Sequence, residues 1–160
     1  MGNVIRVGAA QISPHFFDKE KTLEKTCRYI LEGGQLGLDL LVFPETYFCG
    51  YPYWRGSVSV RRSTELAARM IDTAISLDGP EVTQMAETAR AAGVNCVVGC
   101  NELSDRPGSL TIYNSLVVIS RTGEVLGRHR KIMPTHSERA YWGLGDASDI
   151  RTFDLDIGTM

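Results

Sequence analysis

The stretch from Asp39 to Trp54, DLLVFPETYFCGYPYW, sets the tightest limits on what this chain can become. Residues 40–43 form an unbroken apolar run, which suits a strand buried on both faces better than one with a wet face. Pro44 ends any ladder there, because it has no N–H to donate and holds its predecessor extended. Glu45 follows at once, with Tyr47, Phe48, Tyr51, Tyr53 and Trp54 close behind. A carboxylate carried at the end of a buried strand is a candidate general base, since loops held by a rigid sheet edge are where reactive groups concentrate. The same pattern also fits a loop start in which Glu45 caps backbone donors and the aromatics are core.

A second stretch repeats the design. In residues 129–146, HRKIMPTHSERAYWGLGD, a strand pattern runs into a proline and then into a dense set of polar groups. Lys131 stands where the strand enters the loop, placed to stabilise developing negative charge and to pair with a carboxylate such as Glu45. Glu138, seven residues on, reaches the same cleft if the loop folds back. An exposed Lys–Glu surface pair is the plainer alternative. His129 and His136 lack a Cys or carboxylate at chelating spacing and read as hydrogen-bonded loop histidines; no metal site is expected. Gly143-x-Gly145 is not followed by Lys-Ser/Thr or a helical pattern, so no phosphate loop is indicated.

Between these stretches the chain alternates strand and helix patterns. Residues 4–11 read as a strand. From Asp18, a good N-cap, Leu23, Cys27, Ile30 and Leu31 recur at helical spacing until Gly33-Gly34, which is expected to stop the helix. Residues 63–74 form a weaker helical pattern, and 51–62 read as loop. Pro80 suits the first turn of a helix running to a Gly93 cap. Strands are expected over 94–99, 112–120, 125–130 and 151–157, with residues 121–124 closing a hairpin. Helices interleaved with buried strands argue for an α/β fold.

With 160 residues the chain fits one domain, a size that buries about 70% of its unfolded surface. Seventeen basic and 19 acidic residues, mixed to a net charge of −2, leave no basic stripe for nucleic acid and no polybasic membrane anchor. A small molecule or a second copy of the chain is the expected partner. The N-terminus lacks the pattern of a signal peptide and no apolar run reaches membrane-spanning length, so a cytoplasmic protein is expected. The four cysteines, Cys27, Cys49, Cys96 and Cys100, read as reduced thiols. On one strand Cys96 and Cys100 lie about 13 Å apart, too far to share a zinc.

Taken in order, Phe43-Pro-Glu45 with Gly50-Tyr-Pro-Tyr-Trp54, Leu77-Asp-Gly-Pro80, Tyr113-Asn-Ser115, His129-Arg-Lys131, Pro134-Thr-x-x-Glu138 and Gly145-Asp146 resemble the nitrilase branch of the carbon–nitrogen hydrolase superfamily. The resemblance spans essentially the whole chain, and the Tyr-Pro-x-Trp after Glu45 points toward nitrilases over amidases or carbamoylases. It implies a four-layer αββα sandwich, here incomplete, with residues 1–160 the N-terminal portion of a single domain, and assembly into a homo-oligomer, a dimer or spiral. It implies hydrolysis of a small organic nitrile to acid and ammonia by a Cys-Glu-Lys mechanism without a cofactor. Glu45 matches the base, Lys131 the cation that steadies the tetrahedral intermediate, and Glu138 a further carboxylate that positions substrate and nucleophile. Tyr51 and Trp54 are expected to wall the substrate pocket. The family's nucleophile lies on the strand after a segment like residues 152–158, a position that none of the four cysteines occupies. An amidase or carbamoylase, or a non-catalytic half-domain acting as an assembly partner, are the rival readings.

Overall fold

In the computed structural model, which describes residues 4–160, three parallel strands followed by an antiparallel hairpin make one five-stranded sheet. The strands are β1 (Val7–Ala9), β2 (Leu40–Val42), β3 (Asn95–Leu103), β4 (Ile112–Ile119) and β5 (Val125–Arg130), and they lie in sequence order across the sheet. β1, β2 and β3 are parallel because a helix crosses over between successive members, whereas a short turn with Gly123 at φ +82° joins β4 to β5. Residues 1–3, the start of the stretch read for a leader, lie outside the described residues.

Two helices cover one face of the sheet. α1 (Lys19–Gln35) starts where the Asp18 side chain accepts a hydrogen bond from the Lys21 amide, and α3 (Pro80–Ala92) starts at its proline and ends on Gly93 in the left-handed conformation. Ile30 from α1 and Val82, Met85 and Ala89 from α3 pack with Leu41, Cys96, Val98, Cys100, Val117 and Ile119 of the sheet. Each such large apolar side chain contributes about 1.5–3 kcal/mol on burial. α2 (Val60–Asp72) lies toward the strand ends, where Met70 packs with Ala74, Ile112 and Trp142. One helix layer on one sheet is half of an αββα sandwich. No helix of the described residues is long and apolar enough to cross a membrane.

Several expectations change. α1 runs through Gly33-Gly34 and ends one residue later, at Gln35; both glycines are contact points, and a Cβ on Gly34 would stand 2.5 Å from the Ala92 carbonyl oxygen of α3. The first strand shortens to three residues, with Val4 and Val7 exposed. β2 buries Leu41 under the helices but leaves Leu40 and Val42 half-buried on the other face, where Val97, Leu116, Val118 and Leu126 join them under Phe153. α2 starts three residues early, capped by the Ser59 side chain, which takes residues 60–62 out of the expected loop. β3 extends to Leu103, since the chain after β2 folds back alongside it. The expected last strand is a small hairpin, Asp154–Leu155 paired with Gly158–Thr159.

Candidate active site

The site forms where the chain leaves β2 and β5, on the sheet face turned away from α1 and α3. After Pro44 the chain passes directly over β3: a Cβ on Gly99 would stand 2.1 Å from the Pro44 carbonyl oxygen, so only glycine lets Glu45 sit there. Phe48 then pairs with β3, its amide donating to Gly99 and its carbonyl accepting from the Asn101 amide. The Asn101 side chain ties this loop to the second one, donating to the Gly50 carbonyl at 2.9 Å while its oxygen accepts from the Trp142 indole at 2.8 Å. Gly145 closes the second loop onto β5, its amide 3.0 Å from the Lys131 carbonyl.

These constraints bring Glu45, Lys131 and Glu138 together. The Lys131 ammonium bridges the two carboxylates, 2.8 Å from Glu45 Oε1 and 3.0 Å from Glu138 Oε2. Asn114 Nδ2 donates to the same Glu45 Oε1 at 2.7 Å, and the Tyr51 hydroxyl donates to Glu138 Oε1 at 2.9 Å. The Thr135 amide donates to Glu138 Oε2 at 2.7 Å, so the glutamate also caps the single 3-10 turn that carries it, His136–Ala140. The Glu45 side chain is 55% exposed and that of Glu138 only 9%, which separates an open carboxylate from an enclosed one.

Electrostatics follow this wiring. Partial burial pulls the Lys131 ammonium down, but its hydrogen bonds to Glu45 and Glu138 outweigh that and hold its pKa above the ordinary value. Burial pushes the Glu138 carboxyl up, and the Thr135 amide, Lys131 and Tyr51 together carry it below the usual range. Burial and then the Glu138 carboxylate raise the Tyr51 phenol. Lys131 and Glu138 are therefore held as a charged pair at neutral pH, with the ammonium placed between Glu138 and Glu45.

Two cavities flank Glu45. One, of about 370 Å³, is walled by Ile12, Pro14, Phe16, Tyr51 and Tyr53. The other, of about 250 Å³, is lined by Asn114, Leu116, His129 and Lys131. Trp54 lines neither; it packs with Phe17 and Tyr141. His129 points its Nδ1 at the Asp149 carbonyl, 3.3 Å away. Cys49, near Glu45 in sequence, is buried in the helix-side core, where burial pushes its thiol up to about 12. Cys96 is equally buried, its thiol also pushed up to about 12, and burial raises Cys100 further. Among the described residues no group of three His, Cys, Asp or Glu could hold a metal.

Asn114 and Asn101 are the functional-site residues that reading residue by residue missed. Asn114 is buried on β4, on the face away from the helices, at a position where an amide signals nothing without its partner. The spacing Thr135-x-x-Glu138, by contrast, is a capping-box signature that marks Glu138 as locally fixed.

Residues 6–160 match the family model described as carbon-nitrogen hydrolase. The chain belongs to the carbon-nitrogen hydrolase family. It is 43% identical over 157 residues to a nitrilase, "Nitrilase 2", from an unknown prokaryotic organism, covering 98% of this chain and 49% of that protein. To the aliphatic nitrilase of Rhodococcus rhodochrous it is 36% identical, covering 99% of this chain and 42% of that one. The chain thus spans about half the length of the curated relatives it matches. Its fold superposes on Saccharomyces cerevisiae Nit3, a member of branch 10 of the nitrilase superfamily, with a TM-score of 0.75 at 21% identity, covering 97% of this chain and 53% of that one. The chain is therefore an N-terminal part of the nitrilase-superfamily fold.

Proposed function

We propose that this chain supplies the base, cation and positioning carboxylate of a nitrile-hydrolysing site, Glu45, Lys131 and Glu138, and that the attacking thiolate comes from a segment following residue 160. The observation that carries this reading is the Lys131 ammonium held between Glu45 and Glu138, with a cavity on each side of Glu45. The buried, raised thiols of Cys49, Cys96 and Cys100 support a nucleophile from elsewhere.

In this mechanism Glu45 takes the thiol proton and the sulfur adds to the nitrile carbon, giving a thioimidate once the nitrogen is protonated. Water activated by Glu45 adds to the same carbon, and Lys131 steadies the charge of the tetrahedral intermediate. Ammonia departs, leaving a thioester that a second water opens to the carboxylic acid and the free thiol. Glu138 keeps Lys131 and Tyr51 in place through these steps. The aromatic and aliphatic wall of Ile12, Phe16, Tyr51 and Tyr53 suits a nitrile with an apolar or aryl body. Cofactor chemistry has no role in these steps. The reading includes a cytoplasmic location, tested by fractionation of the source cells, and a homo-oligomer, tested by sedimentation of the purified protein.

Ammonia release from aliphatic and aryl nitriles, compared between residues 1–160 and a form extended along the reading frame past residue 160, is the deciding experiment. Turnover by the extended form alone, abolished by Glu45→Gln, is the expected result. Undiminished turnover in that variant removes Glu45 from the role of base. Turnover by residues 1–160 alone places the nucleophile among Cys27, Cys49, Cys96 and Cys100 and overturns the assignment. Matched amides run alongside separate this reading from an amidase.

A further inference from the structure

Directly across the sheet from the site lies a buried charged cluster that the mechanism above does not use. Glu102, on β3, is 1% exposed. Its Oε1 takes the Arg130 Nη2 at 2.6 Å and the Arg128 Nη1 at 3.0 Å; its Oε2 takes the Arg130 Nε at 3.1 Å and the Ser115 hydroxyl at 2.6 Å. The Arg130 guanidinium also lies 3.8 Å from the centroid of Tyr113, the residue paired with Glu102 on β4. One carboxylate therefore ties together side chains of three adjacent strands.

The register makes this placement consequential. Ser115 and Arg130 are partners across β4 and β5 and face the helices. Their chain neighbours, Asn114 and Lys131, face the other way and converge on Glu45 Oε1, and the Lys131 amide donates to the Asn114 carbonyl at 2.8 Å. A slip of one residue between two strands turns every side chain to the opposite face. The β4–β5 ladder does slip, between Val118 and Ile119, so its register is not carried unbroken from the turn to the site. Well-packed apolar groups often stabilise as much as a buried carboxylate between guanidiniums, because desolvation offsets the attraction, so the cluster's distinctive feature here is that it joins three strands at one alignment.

We propose that Glu102 is a positioning residue: by gripping Arg130, Arg128 and Ser115 on the helix side of the sheet, it fixes the β4–β5 alignment that aims Asn114 and Lys131 at Glu45. The consequence for catalysis rests on the reading of Glu45 and Lys131 as base and cation; the consequence for geometry does not. The test uses Glu102→Gln and the milder Ser115→Ala, each made in residues 1–160 and in the extended form, with Ile30→Ala on α1 as a core truncation remote from the cluster. Acetic anhydride labelling, read by mass spectrometry with Lys25 as internal reference, reports how firmly Lys131 is held. Labelling of Lys131 rises severalfold in Glu102→Gln, less in Ser115→Ala, and stays unchanged in Ile30→Ala at matched folded fraction. In the extended form kcat falls on the order of 10²-fold with KM little changed, as expected when reacting groups are misaligned. If Glu102→Gln does not fold, Ser115→Ala decides. Lys131 labelling in Glu102→Gln or Ser115→Ala no greater than in Ile30→Ala overturns the proposal. Absence of nitrile turnover in the unmutated extended form removes the catalytic reading, while the labelling still decides the positioning role.

Discussion

Glu138 and Glu45 share a cation but not a situation. Glu138 accepts from Lys131, Thr135 and Tyr51, which leaves it little freedom to exchange a proton, whereas Glu45 presents most of its side chain to the cavities. Because the folded-state pKa of Glu138 lies below its unfolded value of 4.5, its stabilising contribution is complete above that value and fades as pH falls through the folded one. Lys131 behaves in the mirror sense: raised above 10.5, its contribution is complete below that value and is lost as pH rises through the folded pKa. Glu138→Gln should therefore lower stability at neutral pH by about 1–3 kcal/mol and flatten the loss toward acid, read from urea unfolding across that range. An unchanged acid limb would show that other carboxylates govern it. Tyr51→Phe removes one hydrogen bond to Glu138 and should cost about 1 kcal/mol in the same measurement. At this scale the sequence singled out Glu45 and Lys131 as candidates because proline and strand patterns place them at strand ends, and Glu138 because it follows Lys131 in a loop able to fold back; the structure brings the three side chains together. The place of Trp54 was not legible, since its aromatic body serves a core cluster with Phe17 and Tyr141 as readily as a pocket wall.

Among the elements, α1 shows how a local signal can be overridden. Gly33-Gly34 reads as a stop because glycine suits a C-cap, yet the helix continues, and the missing side chains let α3 approach. Gly34→Ala in an isolated helix gains about 1 kcal/mol. Here the added Cβ meets the Ala92 carbonyl oxygen at 2.5 Å, a backbone atom with no rotamer to yield. The variant should instead be less stable by about 1–3 kcal/mol, seen as a lower urea midpoint at constant slope. A higher midpoint would mean that the two helices separate at little cost. α3 was legible end to end, since Pro80 and Gly93 act through backbone geometry that no distant contact alters.

For the molecule as a whole, β1 is an edge strand, short and apolar, with Val7 exposed. Such an edge offers unpaired backbone groups to another chain. Val7→Lys should reduce self-association of residues 1–160 in sedimentation, with circular dichroism unchanged; identical sedimentation would place the contact elsewhere. The amino-acid sequence by itself determined the alternation of strands and helices, the breaks at Pro44 and Pro134, and the candidates Glu45, Lys131 and Glu138, because periodicity, proline and glycine act over a few residues. Only the tertiary structure decided that Asn114 meets Glu45, that Asn101 joins the two site loops, that Cys49 is core and that Glu102 lies beneath the site. Those contacts join residues distant in sequence, and strand register and close backbone packing bring them within hydrogen-bond reach.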